Sequence, residues 1–183
     1  MLRSWCCIAY STGMGLRLPM ALLGLGWLLS AQPANGFDRE QVLEQMRQSR
    51  PADLKVLLER PAPVGTLSIG IYGVKPTPSD PNTRSYRLWE ESASDLNVYV
   101  ESVNCSTAKP LRVKRTALLV YVRTLNPGGP ITDINREDHL VWWAACVPEV
   151  AGTDPATLRQ KALDLGFSTL IPERQEQFPA LAR

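Results

Sequence analysis

His139 is the only histidine among 183 residues, so acid–base or nucleophilic chemistry of the usual kind would have to run through it. Glu137 and Asp138 stand just before it. On a strand, neighbouring residues point to opposite faces, which leaves only Glu137 to share a face with His139. With one imidazole, a metal site would depend mostly on carboxylates. The chain contains no Gly-x-Ser-x-Gly, no His-Glu-x-x-His and no phosphate-cradling glycine loop. The acid pairs Glu90-Glu91 and Glu137-Asp138 lack the apolar context that would tune one carboxyl against another. No catalytic, cofactor-binding or metal-ligating set is assigned, no cofactor is implied, and His139 reads as a structural histidine at a strand end.

Cysteine is the second reactive type. Cys6 and Cys7 lie in the leader, without the small apolar residues that introduce a lipid-modified cysteine. The remainder keeps Cys105 and Cys146, an even number, which in an exported chain favours a disulfide over two free thiols or a redox pair. No Cys-x-x-Cys exists. If both residues end strands separated by a third, their backbones lie roughly 9 to 10 Å apart, beyond the limit of about 7 Å, and a bridge needs a bend.

The third group is cationic. Arg112, Lys114 and Arg123 alternate toward a partly polar surface and form a candidate partner or anion patch. A wider attraction for phosphate backbones is not expected. All 18 acids fall after residue 36, and so do all but two of the 20 bases, so the net charge of +2 belongs to the leader. A neutral remainder argues against nucleic-acid binding. Trp142 and Trp143 read as two core anchors on opposite sides of a strand.

These residues need a frame. Two apolar runs, Ala117–Val122 and His139–Val147, are rich in β-branched and aromatic side chains and too short to span a membrane, so they read as central strands covered on both faces. The first belongs to a strand from Leu111 to Thr124, and Pro127-Gly-Gly-Pro130 lies in the connection between the two. Leu67, Ile69 and Ile71 alternate with polar or small residues between Gly65 and Gly73. Tyr86, Leu88 and Trp89 suggest a short strand, and Leu96, Val98 and Val100 alternate with Asn97, Tyr99 and Glu101 in a firmer one. Between Lys75 and Arg84 three prolines and polar residues suggest an exposed connection or lid and no packed element.

Helices must cover such a sheet. Asp38 with Gln41 makes a capping box, and Phe37 can pack on Val42 as a staple. A second short helix is expected from Pro51, with Leu54, Leu57 and Leu58 on one face. Near the C-terminus, Asp154 is an N-cap candidate, Leu158, Ala162 and Leu165 share a face, and Gly166 is a stop. The sequence therefore predicts an α+β domain: about five mainly antiparallel strands, two short N-terminal helices and one C-terminal helix.

The boundaries are 1–36 for a leader, 37–172 for the domain and 173–183 for a polar tail. Arg17, the apolar run Ala21–Leu29 and Ala34-Asn35-Gly36 make a signal peptide with cleavage after Gly36. Met14 is a second candidate start beside Met1. The chain is then expected outside the cytoplasm, in a periplasm by default and in a thylakoid lumen or the medium otherwise, with no stable membrane insertion after cleavage. Roughly 147 residues remain, enough for one core. The expectation for function is a non-catalytic binding or accessory module whose partner is another exported or membrane-associated protein. The alternatives are a small hydrolase or glycan-acting enzyme using carboxylates near His139, and a small-ligand carrier with an apolar cavity between helices and sheet.

Overall fold

A computed structural model describes residues 38–180. The expected signal peptide, its cleavage site, Cys6 and Cys7, and the staple by Phe37 lie outside the described residues. The fold is mixed α+β with an antiparallel sheet and few helices. The sheet has seven strands instead of about five, in sequential order: β1 (Lys55–Pro61), β2 (Thr66–Thr77), β3 (Asp80–Glu91), β4 (Leu96–Asn104), β5 (Leu111–Arg115), β6 (Leu119–Thr124) and β7 (Arg174–Pro179).

The helix α1 (Arg39–Gln48) begins as its cap requires, with the Asp38 carboxylate accepting from the Glu40 and Gln41 N–H groups. The second expected helix is β1 instead. A bulge between Val56 and Leu58 breaks the alternation, so the adjacent Leu57 and Leu58 both reach the core and imitate a helical stripe. The polar stretch from Lys75 to Arg84 is not a free connection: β2 and β3 run on through it and turn at Pro78-Ser79. The expected strand from Leu111 to Thr124 folds back on itself as β5 and β6. Thr116 closes that turn, its hydroxyl accepting from the Leu118 and Leu119 N–H groups.

The largest correction concerns the run ending at Val147. It is the helix α2 (Arg136–Cys146), not a strand. Every residue from Asp138 to Ala145 is buried, so no polar stripe marks the 3.6-residue period, and an apolar run of that length reads equally as strand or enclosed helix. Glu137 and Asp138 in the first turn favour the helical choice by facing its positive end. α2 lies across β1 to β5 on one sheet face, against Ile69, Ile71, Leu88 and Val103. Trp142 packs edge-to-face on Trp143 and Phe167, each pair with ring centroids 5.2 Å apart.

Asp154 caps a short 3-10 turn, Pro155–Thr157, before α3 (Arg159–Asp164), and Gly166 follows with φ of 86°. On the opposite sheet face, α1 sets Leu43 against Trp89 and Leu96. Glu91 fastens that contact, accepting from Trp89 Nε1 at 2.9 Å and Arg50 Nη2 at 2.6 Å. The segment expected as a polar tail supplies β7, the exposed edge strand beside β6.

Candidate functional site

Cross-strand pairing decides which side chains meet, because directly opposed residues in an antiparallel sheet share a face. Arg112 on β5 opposes Arg123 on β6 and Val103 on β4, and Lys114 opposes Tyr121. The three cations read as a patch are therefore on one face, the face that carries α2. They meet the first turn of that helix. Arg112 is 0% exposed, and its Nη1 donates to Asp138 at 2.8 Å and to Glu137 at 3.2 Å. Its Nε donates to Glu101 at 2.8 Å. The same Glu101 oxygen accepts from the Tyr86 hydroxyl at 2.7 Å.

Lys114 Nζ stands 3.2 Å from Glu137 and 3.5 Å from Asp138, and Arg123 Nε stands 3.2 Å from Asp138. Three cations thus face three carboxylates, and the cluster closes on itself. Burial raises the pKa of the Tyr86 phenol well above its ordinary value, which keeps it protonated as the donor to Glu101. Burial works against the charge of Glu137, but Lys114 and Arg112 outweigh it and hold its carboxyl below the usual value. A polar hollow of about 170 Å³ opens beside the cluster, bordered by Lys114, Tyr121, Arg123, Ile134 and Gln175.

His139, one position further along α2, turns away from this cluster. It is fully buried, and its Nε2 lies 2.6 Å from Glu173 Oε1. Glu173 also accepts from the Asn126 N–H at 3.0 Å and the Asn135 side chain at 2.9 Å. Burial disfavours the charge of Glu173, yet the hydrogen bonds from His139, Asn135 and Asn126 prevail and lower its pKa. An ionised Glu173 assigns the proton to Nε2. The interaction ties the chain just ahead of β7 to α2.

Cys105 and Cys146 stand in disulfide geometry, with Cα atoms 5.5 Å apart. The spacing expected between strand ends does not arise, because Cys146 ends a helix laid over the sheet and comes down onto the end of β4. Trp142 Nε1 donates to the Asn104 carbonyl at 2.9 Å beside it. Trp142 and Trp143 are both buried anchors, on a helix instead of a strand.

Sequence reasoning missed Tyr86, Glu101, Asn126, Asn135 and Glu173. Only Glu101 had a usable signal, the alternation of β4. That alternation holds, but its polar set faces α2, while Val98 and Val100 face away at 41% and 64% exposure. Val113 on β5 and Val120 and Val122 on β6 share their face by pairing, as does Phe178 on β7, 47% exposed. On this side α1 touches only the Trp89 and Leu96 end. Among the described residues no group of three or more His, Cys, Asp or Glu is placed to hold a metal ion, and no helix is long and apolar enough to cross a membrane. Comparison of the chain with family models, curated proteins and solved structures finds no match.

Proposed function

We propose that the chain is a non-catalytic binding or accessory module that acts outside the cytoplasm by holding another exported or membrane-associated protein. The observation that carries this reading is the apolar sheet face over β4 to β7, where Val98, Val100 and Phe178 stand exposed. Exposed apolar side chains that share one surface mark interaction sites. The reactive groups support the reading from the other side: His139 is enclosed against Glu173, and Arg112 is spent on Glu101, Glu137 and Asp138. A cysteine pair in disulfide geometry is compatible with an oxidising compartment.

The test is a crosslinked pull-down of the C-terminally tagged full-length chain from its own cells, with partners and the mature N-terminus read from one sample by mass spectrometry. The reading expects a stoichiometric protein partner and Phe37 as the first residue. Absence of any partner at crosslinking yields that capture a known complex would overturn the binding role, and an intact leader would overturn release from the membrane.

A further inference from the structure

The uncovered face is charged as well as apolar, and three of its cations stand without a carboxylate partner. Arg87 pairs across the sheet with Val100, and Arg115 pairs with Val120, so both arginines share the valine face. Lys75 joins them through its pairing with Ser85. All three are exposed. Among the described residues none forms a salt bridge: Arg87 only lies over the Tyr72 ring, 5.9 Å from its centroid. Of the carboxylates on this side, Glu176 on β7 is taken by Arg174 at 2.8 Å, Glu91 on β3 is held by Arg47 and Arg50, and Glu59 stands away on the far edge strand β1. A small hollow of about 90 Å³ lies between Lys75, Ser85, Arg87 and Val100.

We propose that this face, with β4 to β7 as its floor and Lys75 and Arg87 of β2 and β3 along one side, docks an acidic amphipathic helix of a partner protein, seated alongside α1. The proposal rests on the binding-module reading and supplies the chemistry of the partner. Strands β4 and β6 are two strand spacings apart, about 10 Å, which is the width of one helix. α2 covers the opposite face and α1 covers one end of this one, so the remaining lane is what a two-layer arrangement leaves open. The valines are short and sit between long arginines, so they form a floor that leucine or phenylalanine side chains of a helix reach down to. Carboxylates on the β3 side of that helix meet Lys75 and Arg87, and one on its underside meets Arg115 at the end of β5; these three charges lack partners of their own.

Other occupants fit less well. A second copy of the same face would set Lys75, Arg87 and Arg115 against themselves. A lipid surface takes protruding aromatic and long aliphatic groups, whereas the floor between the strands is valine, with Phe178 at its edge and Leu118 in the β5–β6 turn the larger exposed apolar groups.

The test is photo-crosslinking in the native cells, with the full-length chain carrying a benzophenone side chain at position 100, at 122, or at the exposed α3 position 160. Adducts are mapped by mass spectrometry. The proposal expects adducts at 100 and 122, absent at 160, that map to one acidic amphipathic segment, and loss of at least ten-fold in yield for Arg87→Glu with Arg115→Glu but not for Lys109→Glu. Circular dichroism of each variant confirms its fold. Adducts at 100 that map to lipid, to a second copy of this chain or to a segment without acidic residues overturn the proposal. A stoichiometric partner in the pull-down that crosslinks only at 160 overturns this docking face while leaving the binding role intact. No partner in either experiment overturns both.

Discussion

Replacing Arg112 by methionine keeps much of the side-chain length and removes the charge. The carboxylates of Glu101 and Asp138, with side chains 4% and 7% exposed, then lose their shared cation. Asp138 retains Arg123 at 3.2 Å and Lys114 at 3.5 Å, so its loss is partial. Glu101 retains only the Tyr86 hydroxyl, and most of the cost falls there. A buried ion left without its partner costs about 3 to 5 kcal/mol. At about 2 to 4 °C per kcal/mol for a domain of this size, Arg112→Met should lower the Tm by about 6 to 20 °C.

The double variant Arg112→Met with Glu101→Gln removes the stranded charge along with its partner, and should recover more than half of that loss. Guanidinium titrations of the chain from residue 37, wild type, both singles and the double, give the coupling energy. A cost below about 1 kcal/mol for Arg112→Met, or a double variant no more stable than the sum of the singles, would refute the view that Glu101 depends on this one cation.

Acidification should destabilise the fold in the carboxylate range. Glu137 and Glu173 titrate below their ordinary values when folded, so the stability they contribute is present above about pH 4.3 and is lost as pH falls through their lowered values. Thermal melts from pH 7 to pH 2 read that loss, and Glu173→Gln should shrink it. Glu90 has the opposite sign, because burial and, after it, Glu137 raise its pKa, so Glu90→Gln should raise the Tm at pH 7. Removing the bond between Cys105 and Cys146, by Cys105→Ser with Cys146→Ser, opens a span of 41 residues and should cost about 4 kcal/mol in the chain-entropy model, measured by denaturant unfolding with the wild type as reference. Gly70→Ala would place a Cβ 2.7 Å from the Lys55 carbonyl oxygen and should cost about 1 to 3 kcal/mol by parting β1 from β2, seen as a lower denaturation midpoint.

Local signals in the chain were legible where they act locally. The cap at Asp38 and the stop at Gly166 depend on a few neighbouring atoms and appear as their residues imply, whereas Asp154 caps a 3-10 turn ahead of α3 and Leu165 lies exposed beyond that helix. The alternations of β2 and β4 were equally plain. Long-range facts were not legible. Nothing in the run ending at Val147 tells a helix enclosed on all sides from a strand, because both are apolar throughout. The bulge at Val56 to Leu58 disguised a strand as a helix, and a hairpin turn at Ala117-Leu118 without glycine or proline hid the break between β5 and β6. β7 looks like a tail because an edge strand faces solvent; the contacts of Glu173 with His139 and Asn135 hold the chain ahead of it.

The same limit governs the site. Arg112, Lys114 and Arg123 were recognisable as a group, but their partners Glu101, Glu137 and Asp138 come from two other elements, and only the fold brings them within reach. Alternation on β4 told that Glu101 and Val100 point apart, and not which of them the helix would cover. The cation at Arg112 decides that, since a buried guanidinium draws the acid inward and leaves the valines outside.

Hydroxyl-radical footprinting in intact cells, set against the purified chain, tests the binding role most directly. Phe178 lies on the uncovered face, and Tyr99 is exposed on the opposite one. Strong protection of Phe178 in cells, with Tyr99 oxidised equally in both samples, is the result this account predicts. Equal oxidation of Phe178 in cells and in the purified chain would contradict it.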